Sequence, residues 1–264
     1  TTGLTRESII PLEDIFGDTA VTVVHNKVTG LDKKEKKVIC RNSKSYDYDY
    51  LVLALGVVTN YFGIEGLDKY SYGIKSKEEV EKFKAHVKSK IASKEKEDHN
   101  YLIVGGGPTG IELAGALPGY IRGLANKAGK DIKFKVTLIE AANRLMPRGS
   151  KSMSRSLKRR LNNLGVKVMT NAHVQGQDIN HLTIDGKKIE STCVVWTAGM
   201  SNNPFFAEND FVMHNRHVAV NAYLEAEDGI YILGDNANTP YAGFAQTAMN
   251  DAKFVGENLV RKIE

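Results

Sequence analysis

Apolar residues in this chain fall into short, nearly continuous runs that are bounded by polar residues or glycines. Five of these runs predict strands that are buried on both faces of a parallel sheet: Tyr50–Leu55, Tyr101–Val104, Val136–Ile139, Val194–Trp196 and Ile230–Leu233. Weaker alternating runs predict four more strands: Val21–Val24, Val38–Cys40, Val166–Met169 and Leu182–Ile184.

Apolar residues recur at helical spacing in four other segments: Glu78–Ile91, Pro108–Leu117, Met153–Leu164 and Ala245–Ile263. Pro118-Gly119 follows the second segment and should kink or end that helix, and we interpret it as a surface break without function. The Asp185-Gly186 pair lies between two short strands, which predicts a small antiparallel hairpin or meander. Together these patterns predict an α/β protein.

The composition is that of an ordinary globular protein and narrows the function classes. With 264 residues, 42% of them hydrophobic and 25% charged, the chain is not collagen-like, disordered or disulfide-rich, and its length favours two domains. The longest apolar run, Leu51–Val58, is shorter than the roughly 18 to 20 residues that cross a bilayer. Cys40 and Cys193 are far apart, which argues against a zinc ribbon or a neighbouring dithiol and fits a reducing compartment.

The charge pattern does not predict a nucleic-acid or metal site. Lys and Arg number 36 against 31 Asp and Glu, a surplus that allows only weak attraction to anionic partners. The lysine-rich stretches Lys33–Lys37 and Lys75–Lys96 are interleaved with Glu and are interpreted as solvated surfaces, since no recognition motif accompanies them. The segment His214–His217 lacks metal-ligand spacing and is interpreted as a surface turn.

The strongest local signal is a strand that runs into a G-x-G-x-x-G turn and then into a helix. Gly105 allows the tight turn, Gly107 lets backbone amides approach a pyrophosphate, and Gly110 lets the helix pack close to its strand. Pro108 fits the first helical position, because the N–H that proline lacks would have no partner within the helix there. The first turn of the helix, from Thr109 onward, would then present N–H groups and a positive partial charge to phosphates. The alternative is a glycine turn without a ligand.

Glu140 ends the next buried strand and is the predicted partner of this turn, where it would accept from a ribose hydroxyl. It lies 30 residues after Gly110 (140 − 110), rather than roughly 20, which requires a long helix and a return loop through Gly129 and Asp131. A carboxylate at this position repels a 2′-phosphate and favours NADH over NADPH. The nearby Arg144 weakens that preference.

With these residues in hand, the chain resembles the two-dinucleotide flavoproteins, and most closely the type II NADH dehydrogenases (NADH:quinone oxidoreductases). Five further segments carry the resemblance: Tyr48–Gly56, Thr59–Leu67, Val195–Gly199, Tyr231–Ala237 and Ala245–Asn250. The first is similar to a strand and Ala-Thr-Gly turn beside FAD, with Leu55 in place of the threonine. The last is similar to an Ala-Gln-x-Ala-x-Gln helix on the quinone side, with Asn250 in place of the second glutamine. Alone, each is an ordinary strand or turn; their order around the glycine motif favours the family.

The resemblance implies FAD and NADH as cofactors and assigns roles to individual residues. The implied cofactor-binding residues are Gly105, Gly107, Pro108, Thr109, Gly110, Glu140, Ala198, Gly199, Ala54, Gly56, Gly234, Asp235 and Ala245. The implied catalytic residues are Glu112 and Gln246. Glu112 would lie near the nicotinamide and flavin rings and orient the ring or pass a proton to quinone, although a helix dipole alone also favours a glutamate near a helix start. Trp196 is interpreted as core or pocket wall, and no metal is expected.

The resemblance also implies a domain order. It predicts a Rossmann-like NADH-binding domain over residues 66–201, inserted into a partial FAD-binding domain over residues 1–65 and 202–264, with a small antiparallel meander. The resemblance implies an internal piece of a longer enzyme, without the N-terminal FAD βαβ segment and the C-terminal domain of the family. The start of the chain fits this expectation, since Thr1–Arg6 show neither Met nor an apolar signal core. The uncovered edges of Tyr50–Leu55 and Ile230–Leu233 would then favour self-association, for example as a homodimer.

The reaction implied by the family is hydride transfer from NADH to flavin, followed by electron delivery to a quinone. The expected location is the cytoplasm, with the full-length protein held at the cytoplasmic membrane face through a segment absent here. Two alternatives stay open: a soluble flavoprotein reductase with a protein or oxygen as acceptor, and a non-catalytic NAD-responsive binding module. A disulfide reductase is disfavoured because the chain has no paired cysteines.

Overall fold

The computed structural model describes residues 10–93, 99–240 and 242–264, so Thr1–Arg6 and the Lys94–Lys96 end of the second lysine-rich stretch lie outside the described residues. The α-helices are α1 (Leu12–Phe16), α2 (Leu67–Tyr70), α3 (Lys77–Ala92), α4 (Pro108–Lys127), α5 (Lys151–Asn163), α6 (Phe205–Glu208) and α7 (Ala245–Ile263). The strands are β1 (Val28–Asp32), β2 (Lys37–Cys40), β3 (Ser45–Asp47), β4 (Leu51–Leu53), β5 (Val57–Thr59), β6 (Asn100–Val104), β7 (Lys135–Ile139), β8 (Val166–Met169), β9 (Val174–Gln177), β10 (His181–Ile184), β11 (Lys187–Glu190), β12 (Cys193–Trp196), β13 (Met200–Asn202), β14 (Met213–His214), β15 (His217–Val218), β16 (Glu225–Glu227) and β17 (Ile230–Ile232).

The chain divides into two compact units. The inserted unit is Thr59–Gly199, and the flanking unit is Ile10–Val58 together with Met200–Glu264. The division falls at 58/59 and 199/200, a few residues before the domain boundaries that the sequence predicts. The assignment of the inserted unit to NADH and of the flanking unit to FAD stays a prediction.

A four-stranded parallel sheet in the order β12-β6-β7-β8 forms the middle of the inserted unit. In-register pairs, such as Val104 with Trp196 and with Ile139, align the carboxyl ends of the strands at one edge. α4 connects β6 to β7 and α5 connects β7 to β8, so the predicted α/β fold with a parallel sheet is confirmed. Side chains of α3, α4 and α5 cover one face of the sheet, and the antiparallel sheet β11-β10-β9 supplies core residues to the other.

The inserted unit contains the predicted hairpin at Asp185-Gly186 and the predicted helix break at Pro118-Gly119. Asp185 and Gly186, with φ of +48° and +74°, form the two-residue turn between β10 and β11, which confirms the hairpin. Pro118-Gly119 is predicted to kink or end its helix as a surface break. The helix does not end there, and Pro118 is buried inside α4, which is 20 residues long and runs on to Lys127. The carbonyl of Ala114 loses a helical donor there, and packing of neighbouring side chains such as Leu117 holds the helix together. This length accounts for the interval before Glu140.

The flanking unit is built on a three-stranded sheet in the order β16-β17-β4, in which β17 runs parallel to β4 and antiparallel to β16. A second antiparallel sheet has the order β1-β2-β3. The core includes Phe206, Val218, Ile232 and Val255, all almost completely buried, and α7 packs on the turn that follows β17.

Three strand predictions for the flanking unit need correction. Val21–Val24 is not a strand: Val21 and Val24 are 52% and 47% exposed, and an alternating run becomes a strand only where another strand pairs with it. Within Tyr50–Leu55 only β4 is extended and paired, and its Val52 is 40% exposed rather than buried. The expectation of a free edge at Ile230–Leu233 is wrong, because β17 lies between two strands. In the described part of this sheet only β4 and β16 are edges.

The helices and the two cysteines bear on what the composition predicts. None of the helices in the described part of the chain combines the length and the apolar character needed to cross a bilayer. Cys40 and Cys193 both have buried side chains, which is the usual position of a cysteine that packs as a small apolar residue.

Candidate nucleotide-binding site

The glycine turn after β6 is closed by two tight approaches. Gly105 has a φ of +117°, and a Cβ there would lie 2.7 Å from Thr197 Oγ1 and 2.8 Å from Ala198 N. A Cβ at Gly110 would overlap the carbonyl oxygen of Gly105. These two positions admit only glycine, because the turn, the first residues of α4 and the segment after β12 meet there.

Gly107 differs from its neighbours, because the space around it is open. Its φ of −80° suits any residue, and a Cβ would meet nothing within 4 Å. Gly107 is the N-cap of α4; within the described part no side chain caps this helix, and its first turn carries no acidic residue. Pro108 and Thr109 begin the helix. Its first N–H groups and the positive end of its dipole can therefore bind an anion such as a pyrophosphate.

Glu140 lies directly beside this turn. Its Oε2 accepts from the Gly106 N–H at 2.6 Å, and its Oε1 accepts from the Ala142 N–H at 2.7 Å. Each carboxylate oxygen keeps a second lone-pair direction, so a ribose hydroxyl can still donate to it. The structure brings Glu140 to the glycine turn, while its role toward a ribose stays a prediction.

The loop over residues 141–149 is fastened to the same turn. Met146 N–H donates to the Gly106 carbonyl at 2.9 Å. Arg144 donates to the carbonyls of Met146 at 3.2 Å and Gly149 at 2.8 Å. It also donates to the carbonyl of Pro147. These bonds use three of the five guanidinium N–H groups, so the loop fixes the orientation of Arg144 and leaves two N–H groups for other acceptors.

The turn after β12 closes the other side of the site. Thr197 N–H and Thr197 Oγ1 both donate to the Val104 carbonyl at 2.8 Å, which joins this turn to the end of β6. Ala198, the next residue, is exposed. The predicted contributors Ala198 and Gly199 therefore lie at the same sheet edge as Gly105.

Trp196 is a core residue, as expected, and anchors the segment that follows β5. Its Nε1 donates to the Asn60 carbonyl at 2.8 Å, and its ring lies 6.3 Å from that of Tyr61 and 6.4 Å from that of Phe62. A Cβ at Gly199 would overlap the same Asn60 carbonyl. Burial, and then the charge of Glu79, raises the pKa of Tyr61, so its hydroxyl stays protonated at neutral pH.

Glu112 is exposed in the second turn of α4. The helix dipole acts mainly on the first turn, so it gives little reason for a glutamate at this position. The inserted unit thus gathers Gly105, Gly107, Gly110 and Glu140 at one edge of its sheet, with Glu112 one turn further along the helix.

The flanking unit places Gly234 and Asp235 in the turn between β17 and α7. Gly234 has a φ of +60°, and its N–H donates to Asp251 Oδ2 at 3.0 Å. Asp235 Oδ1 accepts from the Gly243 N–H at 3.1 Å. A Cβ at Gly234 would lie 2.9 Å from the Ala248 Cβ, so this glycine allows α7 to approach the turn.

His214 and His217 flank the predicted surface turn, which is the loop of a hairpin formed by β14 and β15. The exposed Asn215 and Arg216 make its two-residue loop. His217 Nδ1 lies 2.9 Å from the Asp235 carbonyl oxygen, a distance at which a protonated Nδ1 donates to it. Among the described residues no group of His, Cys, Asp or Glu could hold a metal ion.

Asn236 is fully buried and joins three segments of the flanking unit. Its Nδ2 donates to the Gly56 carbonyl at 2.7 Å and to Asn202 Oδ1. Its Oδ1 is buried without a hydrogen-bond partner among the described residues, as is Thr239 Oγ1. Unpaired buried acceptors beside a turn call for a donor from a bound group or from water. Ala54 and Gly56 are exposed, and a Cβ at Gly56 would meet nothing within 4 Å.

α7 begins with the exposed residues Ala245 and Gln246. Gln246 Nε2 donates to Asn250 Oδ1 at 3.2 Å, so the two amides that the sequence pairs do interact. In the described part no side chain caps α7 at Phe244, and its first turn has no acidic residue. Its first N–H groups are therefore available to a ligand acceptor.

Three residues of these sites lie in segments that the sequence singles out, but their contacts were not predicted. Gly106 bonds Glu140, Thr197 joins the two turns, and Asn236 joins three segments. A signal existed for Gly106, which lies in a run of three glycines where a Cβ would stand 2.8 Å from Glu140 Oε2. Asn236 belongs to the Tyr231–Ala237 segment, but no sequence signal predicts its contacts, because its partners Gly56 and Asn202 are distant in the chain.

Comparison with known proteins places residues 7–252 in the family described as pyridine nucleotide-disulphide oxidoreductase. The chain is 30% identical over 274 residues to a type II NADH:quinone oxidoreductase of Staphylococcus haemolyticus strain JCSC1435, an alignment that covers 96% of this chain and 68% of the relative.

Solved structures give the same fold. NDH2 from Plasmodium falciparum in complex with NADH aligns with a TM-score of 0.69 at 22% identity, over 81% of this chain and 50% of that one. The ferredoxin reductase for the CYP199A2 system from Rhodopseudomonas palustris aligns with a TM-score of 0.77 at 18% identity, over 94% of this chain and 60% of that one. This chain thus spans about half to three fifths of these solved structures.

Proposed function

This chain belongs to the pyridine nucleotide-disulphide oxidoreductase family, and we propose that its inserted unit binds NADH for an FAD-dependent oxidoreductase. The family resemblance drawn from the motifs is thereby confirmed. The opening at Gly107 is the observation that carries the proposal. Among the glycines at positions 105, 106, 107 and 110, only Gly107 has room for a Cβ atom. It lies at the start of a long helix that no side chain caps within the described residues.

The surrounding residues suit an adenine dinucleotide. The start of α4 supplies N–H donors and positive potential for the pyrophosphate, and Glu140 supplies an acceptor for ribose hydroxyls. Arg144 donates three of its N–H groups to backbone carbonyls of its own loop, so less of its hydrogen-bonding capacity remains to offset the charge of Glu140 toward a 2′-phosphate. These features favour NADH over NADPH.

The flanking unit carries groups that suit a flavin. Gly56, Gly234, Asp235 and the start of α7 would hold it, and the buried Asn236 Oδ1 supplies an acceptor that still lacks a donor. FAD, when bound, takes up a hydride from the reduced nicotinamide and releases electrons to an acceptor. We assign the quinone acceptor on the name of the Staphylococcus relative, together with Gln246 at the start of α7.

Glu112 is the proposed residue for orienting the nicotinamide or moving a proton. Its carboxylate is exposed and takes part in none of the ion pairs of the described ranges, so it is available to a ligand. Its position in the second turn of α4 places it within about 10 Å of Gly107 along the helix.

The proposal predicts that NADH binds to the purified chain and that Gly107→Val abolishes binding without unfolding it. A valine has space at this position and an allowed backbone conformation, but its side chain occupies the space that the pyrophosphate needs. Isothermal titration with NADH measures binding, and circular dichroism checks the fold. Gly119→Val is the matched control, since Gly119 lies on α4 and also has open space. Equal NADH affinity in the wild type and Gly107→Val would overturn the proposal.

A further inference from the structure

Positive charge is concentrated in one part of this chain. Residues 141–177 contain eight Lys or Arg and no Asp or Glu, out of 36 and 31 in the whole chain. The rest of the chain therefore has a small net negative charge. A segment of this length without one acidic residue differs from the other lysine-rich stretches, in which Glu alternates with Lys.

Most of this charge lies on the solvent face of α5, a helix of 13 residues. Its core face is formed by Ser154, Leu157 and Leu161, of which the first and the last are buried. Four exposed basic residues, Lys151, Arg155, Lys158 and Arg159, are spaced so that they share an arc of about 100° on the side of the helix next to this core face. We call these four residues the basic stripe.

The basic stripe is not neutralised by the protein. Within the described residues none of its four side chains takes part in an ion pair. The helix itself brings like charges together, since Lys151, Arg155 and Arg159 follow one another at four-residue intervals, and like charges at this spacing destabilise a helix. The unpaired charges of α5 therefore produce a positive electrostatic potential in the solvent beside the helix.

The stripe begins next to the proposed nucleotide site. Met146 is hydrogen bonded to Gly106 in the glycine turn, and the exposed Arg148 follows it. α5 starts at Lys151, five residues after Met146 and so at most about 18 Å away along the chain. The helix is about 20 Å long, so the whole stripe lies within reach of a field that extends about 30 Å at 0.01 M salt.

We propose that the basic stripe of α5 steers the anionic dinucleotide to the glycine turn and raises its association rate. This inference rests on the proposed function, because it takes the doubly charged pyrophosphate of NADH as the anion. The uncapped start of α4 holds that pyrophosphate once bound, whereas the stripe acts during approach. Long-range attraction of this kind raises association rates about 10- to 1,000-fold and weakens with ionic strength.

Two carboxylates oppose the stripe at the site. Glu140 beside the glycine turn and the exposed Glu112 on α4 both repel the pyrophosphate. A site with these two charges and no external attraction would capture a dianion slowly. The four charges of the stripe, with Arg148, reverse the sign of the local potential before the ligand reaches either carboxylate.

The experiment compares two charge-reversed proteins of equal net charge. Arg155→Glu with Arg159→Glu alters the stripe, and Lys82→Glu with Lys88→Glu alters two exposed lysines of α3 in the same unit as the matched control. Stopped-flow mixing with NADH at 0.01 M and 0.5 M salt gives the association rate constants. The single tryptophan, Trp196, is buried beside the Thr197 turn and reports binding by its fluorescence. Arg155→Gln with Arg159→Gln, checked by circular dichroism, covers the case in which the glutamates disturb α5.

At low salt we expect the stripe variant to bind NADH about tenfold more slowly than the wild type, while the α3 control stays within about twofold. At 0.5 M salt the three rates should converge, since the field then extends only a few ångströms. Equal rates in the stripe variant and the α3 control at low salt would overturn the steering proposal while leaving NADH binding intact. Absence of NADH binding to the wild type at both salt concentrations would instead overturn the proposed function.

Discussion

Neighbouring glycines in the turn after β6 have different physical reasons to be glycine. Gly105 needs its left-handed backbone and Gly110 its close approach to the preceding turn, whereas Gly106 leaves room for the Glu140 side chain. Gly107 has neither constraint. A substitution at 105 or 110 therefore disturbs the fold together with any ligand, and only position 107 separates the two effects.

Glu140 serves both the fold and, by prediction, the choice of cofactor. Glu140→Gln keeps one acceptor oxygen for two N–H groups, those of Gly106 and Ala142, so one of them meets an amide NH₂ instead. We expect a loss of about 1 to 3 kcal/mol in the free energy of unfolding. We also expect weaker NADH binding and relief of the repulsion that excludes NADPH.

Titration of both nucleotides against both proteins, with thermal unfolding alongside, checks these expectations. Glu190→Gln is the control, an exposed glutamate on β11 of the same unit. A changed unfolding temperature with an unchanged NADH/NADPH ratio would mean that Glu140 shapes the turn but does not select the cofactor.

Glu225 makes the stability of the flanking unit depend on pH. Burial opposes its ionisation, but the Gly229 N–H, the Tyr231 hydroxyl and the Lys262 ammonium outweigh burial and lower the pKa of Glu225. A carboxyl whose pKa is lower in the folded state adds stability above its unfolded pKa, about 4.3, and loses it as the pH falls through the folded pKa. Between pH 6 and pH 3 we expect the unfolding temperature to fall further in the wild type than in Glu225→Gln. Parallel curves in differential scanning calorimetry would contradict this role.

At the scale of elements, α4 shows how packing overrides a local signal. A proline in a helix interior removes a hydrogen bond at a cost of about 3 kcal/mol, yet α4 passes through Pro118 because its apolar face is held by the sheet. The reverse happens at Val21–Val24, where a strand pattern without a partner stays irregular. Both outcomes depend on neighbours that the local sequence does not specify.

The start of α3 is fixed by a capping box that allows a clean test. Ser76 Oγ accepts from the Glu79 N–H at 3.1 Å, and Glu79 Oε2 accepts from the Ser76 N–H at 3.0 Å. We expect Ser76→Ala to lower the free energy of unfolding by about 1 kcal/mol. Urea denaturation measures it. Ser156→Ala, at an exposed position inside α5, should be neutral or slightly stabilising; an equal loss in both variants would mean that the cap contributes nothing.

At the scale of the whole molecule, each of the two units has its own buried core. In the inserted unit, α3, α4 and α5 form the core together with the parallel sheet. In the flanking unit, the core surrounds Phe206 and Ile232. The residues proposed for NADH all lie in the inserted unit, and those proposed for FAD lie in the flanking unit. Binding of the two cofactors can therefore be tested separately.

We predict that the 264-residue chain binds NADH but purifies without stoichiometric FAD and with little NADH:quinone activity. The chain contains one G-x-G-x-x-G turn, Gly105–Gly110, and we assign it to NADH. The flanking unit offers no second turn of this kind for the FAD pyrophosphate, and each missing charge-assisted hydrogen bond costs about 1.5 to 3 kcal/mol. An absorbance spectrum of the fresh protein decides the matter. A full flavin complement would show that other residues of this chain replace such a turn.

The sequence by itself determined the elements whose signal is local. The G-x-G-x-x-G turn, the Asp185-Gly186 hairpin and the full extent of α7 follow from residues that are neighbours in the chain, because backbone conformation and apolar period act over a few residues. The order of these motifs was also sufficient for the family.

Only the tertiary structure decided which distant residues meet. Gly106 and Glu140 are 34 residues apart, and Thr197 reaches Val104 across 93. The position of β17 between two strands, the persistence of α4 beyond Pro118 and the burial of Asn236 are of the same kind. A periodic pattern tells which face of an element is apolar, but not which element covers it. Contacts between separate elements form only when the sheets and helices pack, and no property of the separate segments specifies that packing.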